Sequence, residues 1–205
     1  MPDYTGTAKL ALRDQLLAAR RARGLAEIGA RARAVAEHLL AEPAVRRAAT
    51  VAAYVSVSTE PGTGPLLEAL RSQGKRVLLP LLRPDDDLDW TTYDGPASLR
   101  TARRGLLEPT GEPLGTGAVA TADVVLVPGL AVARDGMRLG RGGGSYDRAL
   151  GRVPVGTPVC VLLNSEEVLD RVPTHDHDRP VTAVATELGV TRLPAPAPGG
   201  PASQR

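Results

Sequence analysis

The sequence predicts an α/β fold, a three-layer α/β/α sandwich with a mostly parallel central sheet and an N-terminal helical pair. Three observations carry that expectation. From Thr50 onward, short apolar β-like runs alternate with helical or turn segments, the pattern of a sheet whose crossovers pack on its faces. Several of those runs are apolar throughout, as strands covered on both sides tend to be. Apolar residues make up 42% of a 205-residue chain, which suffices for one real core and suits one domain.

Residues 8–40 read as two helices. Leu10 and Leu17, and Leu12, Leu16 and Ala19, recur at helical spacing, and Gly24 separates them from a second stretch, Glu27–Leu40. Pro43 ends or redirects that second pattern. The β-like runs are Val51–Val57, Val77–Leu82, Leu88–Tyr93, Val124–Val127, Ala131–Ala133, Val159–Leu163 and Val181–Thr186. Leu66–Ser72 and Tyr146–Gly151 read as crossover helices, with Glu166–Arg171 as a third candidate. A domain over residues 1–192 is followed by a Pro/Ala/Gly-rich tail, 193–205, whose composition predicts disorder.

Composition also excludes. One Trp, four Tyr and no Phe leave almost no aromatic platform for stacking single-stranded nucleic acid. A net charge of +2, with both signs mixed along the chain, gives no nucleic-acid footprint. No run of 18 apolar residues exists and the first residues lack a hydrophobic stretch, so neither membrane nor secretion is expected, and the cytoplasm is. The single cysteine, Cys160, fits a reducing compartment. Arg outnumbers Lys by 23 to 2, which draws attention to Lys9. Lys9 and Arg13 stand four apart, on one face near the start of the first helix.

The segment Val124–Leu150 carries most of the chemistry. After a buried strand and a turn at Arg134-Asp135-Gly136 comes the run Arg138-Leu139-Gly140-Arg141-Gly142-Gly143-Gly144-Ser145-Tyr146-Asp147. Three consecutive glycines opening a helix expose backbone N–H groups to an anion. Arg138 and Arg141 flank them and suit phosphate oxygens. Residues 134–152 hold five Arg and two Asp, a local charge of +3. Asp147, in the first helical turn, is placed to hold Mg²⁺ on phosphates. The competing view is a surface turn with solvated arginines. Neither a P-loop nor a dinucleotide fingerprint fits: no Lys follows Lys75, and Ser145 stands where a third glycine is needed.

Two further clusters matter. Thr174-His175-Asp176-His177-Asp178 falls short of a binuclear metal run because Arg179 stands where an Asp is needed. It reads either as a capped turn or, through Asp178, as a second carboxylate for the Mg²⁺ near Asp147. At the end of the first strand, Ser56, Ser58, Glu60 and Thr63 offer polar groups to a heterocycle, or else cap the next helix. Asp85-Asp86-Asp87 reads as a solvated hairpin tip.

These segments together resemble the 5-formyltetrahydrofolate cyclo-ligase (5,10-methenyltetrahydrofolate synthetase) family. The matching stretches are Lys9–Arg13, Tyr54–Thr63, Gly105–Pro109, Val127–Leu150, and His177-Asp178 with Thr186-Glu187. The resemblance implies ATP- and Mg²⁺-dependent ring closure of 5-formyltetrahydrofolate to 5,10-methenyltetrahydrofolate, with small molecules as partners and a monomeric enzyme. It implies an ATP site of Lys9, Leu10, Ala11, Leu12 and Arg13 with Arg138 through Tyr146, that is Arg138, Leu139, Gly140, Arg141, Gly142, Gly143, Gly144, Ser145 and Tyr146. Folate would meet Val55, Glu60, Arg141, Gly142, Gly143, Gly144 and Ser145, and Mg²⁺ would meet Asp147 and Asp178. Arg141, Lys9 and Tyr146 are the implied catalytic residues. The chain departs from the family pattern at Ser145 and Arg104, where aromatic residues are common, and at Thr59 and Thr182, where acids are. Two other classes would share parts of this pattern. A folate- or nucleotide-binding module without turnover needs no Lys9–Asp147 pair, and a sugar-phosphate isomerase-like protein needs no ATP.

Overall fold

The computed structural model describes residues 4–194. The tail from residue 195, for which disorder was expected, lies outside the described residues. The N-terminal pair is α1 (Tyr4–Arg21) and α2 (Leu25–Ala41), parted at Gly24 as the spacing predicts. Pro43 both follows the end of α2 and opens a short α3 (Pro43–Arg47), where its fixed φ and missing N–H do no harm.

Five parallel strands form the middle of a seven-stranded sheet: β1 (Thr50–Ala52), β2 (Arg76–Leu82), β6 (Val124–Pro128), β9 (Val159–Leu162) and β11 (Ala183–Thr186). Antiparallel β3 (Leu88–Thr92) and β12 (Gly189–Arg192) close its edges, giving the order β12-β11-β9-β6-β1-β2-β3. Between them come α4 (Gly64–Ser72), a two-stranded ribbon of β4 (Leu99–Thr101) and β5 (Leu107–Pro109), and α5 (Ser145–Leu150). A small three-stranded sheet joins β10 (Val168–Leu169), β7 (Ala131–Ala133) and β8 (Arg138–Leu139).

The alternation of side chains along each strand divides the core in two. Val51, Val77, Leu79, Val124, Leu126, Cys160 and Leu162 face α2, α3 and α4. Ala52, Leu78, Val125, Val127, Val159 and Val161 face the other way, against Trp90, Val119, Val132, Ala149 and Leu150. That second layer is thin, built from α5, the 3₁₀ turn Thr116–Thr121 and β7. α1 covers the small sheet through Leu16, which packs on Leu130, Ala131 and Leu139.

Two expected elements differ. The run Val51–Val57 leaves the ladder after Ala52, and Val57 turns back under the Glu60 carboxylate, which accepts its N–H at 2.9 Å. Glu166–Arg171 is no helix but the 3₁₀ turn Ser165–Glu167 followed by β10. There Asn164 and Glu167 close a capping box. The Glu167 carboxylate is also held by Arg20, whose Nε and Nη2 each lie 2.7 Å from it. Both side chains of that pair are buried to 1% exposure or less, and Arg20 Nη2 also donates to Gly129 O at 2.8 Å. α1 is thus bolted to the strand end that borders the site. Among the described residues no helix is long and apolar enough to cross a membrane.

Candidate active site

Ligands in open α/β sheets bind beyond the carboxyl ends of the strands, and two cavities open there. The larger holds about 350 Å³. Tyr54, Val55 and Glu60 line it after β1, Pro80, Leu82 and Leu88 come from the β2–β3 hairpin, and Arg104 through β5 supply Leu106, Leu107 and Glu108. The smaller, about 240 Å³, lies between Lys9 and Arg13 of α1 and the His175–Asp178 turn. Arg138, Gly140, Gly142, Gly144 and Asp147 line both, so the glycine loop is a wall between them.

The loop takes this course because of its glycines. Gly142 and Gly144 have φ of 104° and 69°, in the left-handed region that side chains disfavour. Arg13 braces the loop from outside, donating from Nε to Gly140 O at 2.9 Å. The helix it opens, α5, has only six residues. Its dipole is correspondingly short, and side-chain cations supply most of the positive field.

Three cations and two carboxylates line the smaller cavity. Lys9, only 4% exposed, sits 2.6 Å from Asp178 Oδ2. Burial alone would push the Asp178 carboxyl up, but the Lys9 ammonium and the His175 N–H, 2.7 Å away, outweigh it and hold the carboxyl below its usual range. Asp178 therefore caps the turn and faces the cavity at once. Arg138 donates from Nη2 to Asp147 Oδ1 at 2.9 Å, and the Arg179 N–H reaches the same oxygen at 3.2 Å. Arg138 Nε is buried with no hydrogen-bond partner, a donor left over in the dividing wall. The His175 and His177 rings stack with centroids 5.4 Å apart.

The larger cavity is mostly apolar, with two buried acids in its lining, Glu60 and Glu108, the second accepting the Leu82 N–H at 2.8 Å. Glu60 receives the Val57 N–H on Oε2 and Arg141 Nε on Oε1 at 3.0 Å. Burial raises its carboxyl above the usual range, with Val57 and then Arg141 pulling the other way. Burial also pushes the phenols of Tyr54 and Tyr146 upward, reinforced by the Glu60 charge, so both remain protonated at neutral pH. Tyr146 is thereby a donor and not a base.

Every residue expected to meet folate, Val55, Glu60, Arg141, Gly142, Gly143, Gly144 and Ser145, lines the larger cavity. Of those expected to meet ATP, Lys9, Arg13, Arg138, Leu139, Gly140, Gly142 and Gly144 line the smaller. Arg141, Gly143, Ser145 and Tyr146 border only the larger one. Leu10 and Ala11 point outward on α1, and Leu12 packs on the small sheet, because only one helix face meets the cavity. Asp147 and Asp178 share the smaller cavity. Ser56 and Thr63 satisfy each other, Ser56 N–H to Thr63 Oγ1 at 2.9 Å and Thr63 N–H to Ser56 Oγ at 3.0 Å, and neither lines a cavity. The Asp85–Asp87 tip is engaged: Asp87 pairs with Arg152 at 2.6 Å and Asp86 O accepts Arg148. Sequence reasoning missed the hairpin wall; it singled out the His175–Asp178 run but gave the two histidines, which line the smaller cavity, no part in a site. The available signal for the wall was the run Val77–Leu82 staying apolar well beyond Leu78, where its pairing with the short β1 ends.

The sequence profile described as the 5-formyltetrahydrofolate cyclo-ligase family matches residues 5–187. A 5-formyltetrahydrofolate cyclo-ligase of Mycolicibacterium smegmatis is 43% identical over 150 residues, covering 70% of this chain and 77% of that protein. The protein of the same name from Escherichia coli K12 is 33% identical over 159 residues, 74% of this chain and 85% of the relative. Among solved structures, Aquifex aeolicus 5,10-methenyltetrahydrofolate synthetase superposes with a TM-score of 0.78 at 28% identity, covering 96% of each chain. Fold, site and relatives together make this chain an enzyme of the ligase class. It belongs to the 5-formyltetrahydrofolate cyclo-ligase family.

Proposed function

We propose that the protein closes 5-formyltetrahydrofolate to 5,10-methenyltetrahydrofolate with ATP, releasing ADP and phosphate, as a monomeric cytoplasmic enzyme. The observation that carries this reading is the glycine wall with an apolar cavity on one side and a cationic one on the other. Folate fills the first, its heterocycle N–H groups on Glu60. The triphosphate fills the second, against Lys9, Arg13 and Arg138. The formyl oxygen attacks the γ-phosphorus and the bond to ADP breaks. N10 then attacks the formyl carbon, inorganic phosphate leaves with that oxygen, and N10 loses its proton. Such chemistry needs positioning and charge neutralisation more than a nucleophilic side chain. Arg141 and the Tyr146 hydroxyl stand on the folate side of the wall, where the phosphoryl group arrives. The test is growth of methenyl-folate absorbance with and without ATP; growth without ATP overturns the reading.

Asp147 and Asp178 suit Mg²⁺, which takes one or two carboxylates and leaves its other positions to phosphates and water. No group of three or more His, Cys, Asp or Glu gathers among the described residues, so a larger protein cage is not on offer. When bound, the ion neutralises phosphate charge. Asp147→Asn keeps an acceptor at Oδ1 for both Arg138 and Arg179 while removing the charge. The Mg²⁺ concentration giving half activity is expected to rise about tenfold, the scale of one lost charged contact. An unchanged titration leaves Asp147 as an ion-pair partner only.

Glu60→Gln is expected to weaken 5-formyltetrahydrofolate by about 1–3 kcal/mol, because a glutamine has one acceptor where Glu60 uses two. Its effect on stability has the opposite sign. A carboxyl raised on folding binds its proton more tightly in the native state, so stability rises as pH falls through the raised value and is lower above it. The glutamine variant escapes that penalty and unfolds at the same or higher denaturant at pH 7. Folate calorimetry and urea unfolding check both halves.

A further inference from the structure

We propose that Arg104 anchors the anionic tail of the substrate, its guanidinium exchanging Asp86 for a substrate carboxylate at the mouth of the larger cavity. The inference rests on the folate reading above. A folate is a heterocycle, an aromatic ring and a glutamate tail in line. The cavity lining has a group suited to each. Glu60, 7% exposed at its side chain, is a buried polar group in the lining, and Leu82, Leu88, Leu106 and Leu107, with the buried Glu108, form the walls. Arg104, 56% exposed at its side chain, stands at the rim.

The present partner of Arg104 is poorly matched. Arg104 Nη2 lies 2.8 Å from Asp86 Oδ1, yet that oxygen accepts no hydrogen bond. The charges attract without the aligned fork that makes Arg–carboxylate pairs strong. Asp86 is secured independently, since its carbonyl accepts Arg148 Nη2 at 2.5 Å, so the hairpin tip stays in place when Arg104 lets go. Other charges near this ion pair include Arg103 in the same turn as Arg104, Arg148 on the Asp86 carbonyl, Asp85, which lies 3.4 Å from Arg83, and Asp87, paired with Arg152. Arg104 itself holds a left-handed φ of 58°, a strained conformation for arginine, and the residue lines the cavity.

Two variants of one ion pair separate this role from a merely structural latch. Arg104→Gln is expected to raise the KM for 5-formyltetrahydrofolate about tenfold, with the loss falling on KM and not on kcat. Asp86→Asn frees Arg104 and is expected to lower KM severalfold. A latch that only holds the rim predicts that both variants raise KM together, and that result overturns the proposal, as does an unchanged KM in Arg104→Gln. A wild-type chain that forms no methenyl product overturns the folate reading itself, a different outcome from an active enzyme indifferent to Arg104.

Discussion

Replacing Arg20 by methionine is expected to destabilise the protein by about 3–5 kcal/mol, the usual result of stranding one member of a buried ion pair. Arg20 is fully buried, Glu167 is 1% exposed, and two bonds of 2.7 Å join them. Methionine fills a similar volume but leaves the carboxylate with Asn164 and with Arg23, whose Nη1 is 3.7 Å away. That residual neighbour favours the lower end of the range. Urea unfolding reads the loss as a shift in midpoint. The double variant Arg20→Met, Glu167→Leu is expected to recover most of it, because an apolar pair needs no counter-charge. A loss below about 1 kcal/mol in the single variant would mean that the pair is fully solvated by local rearrangement.

The largest kinetic effect is expected at Arg141. Its side chain is 46% exposed and holds Glu60 through Nε alone, so Arg141→Ala leaves the core intact. The thermal midpoint should barely move. The value of kcat/KM should fall by about 2–4 kcal/mol, as when one donor to developing transition-state charge is removed. Rapid-mixing measurements divide the loss: a fall in the single-turnover rate with folate affinity kept places Arg141 on the transferring phosphoryl group. A loss confined to folate affinity would assign it to orienting Glu60.

Much of the architecture was legible because it depends on short-range pattern. The apolar strands, the Gly24 break and the glycine loop each carry their own local signal. What escaped depends on contacts far apart in the chain. Arg20 meets Glu167 across 147 positions and turns Glu166–Arg171 away from a helix. The Ser56–Thr63 exchange consumed two polar groups that spacing alone left available to a ligand. The two-residue and three-residue strands of the minor sheets are too short to show a period. At the site, the resemblance had assigned one set of residues to ATP and another to folate. It put Arg141 and Tyr146 in the ATP set with Lys9, but they line the larger cavity. Arg141 and Tyr146 fall on the opposite side of the loop from Lys9 because the chain there is the partition itself.

On the proposed function, the Gly140–Gly144 partition has an occupant on each side, and that makes each sensitive to the other. Any shift of Gly140–Gly144 that tightens the grip on one ligand alters the surface presented to its neighbour. By thermodynamic linkage the factor by which nucleotide changes folate affinity equals the factor by which folate changes nucleotide affinity. Coupling of this kind, typically about 1–3 kcal/mol, lets the first molecule to arrive recruit the second. If the coupling is favourable, a solitary triphosphate would be less firmly held, and so less often delivered to water, than one facing its proper acceptor.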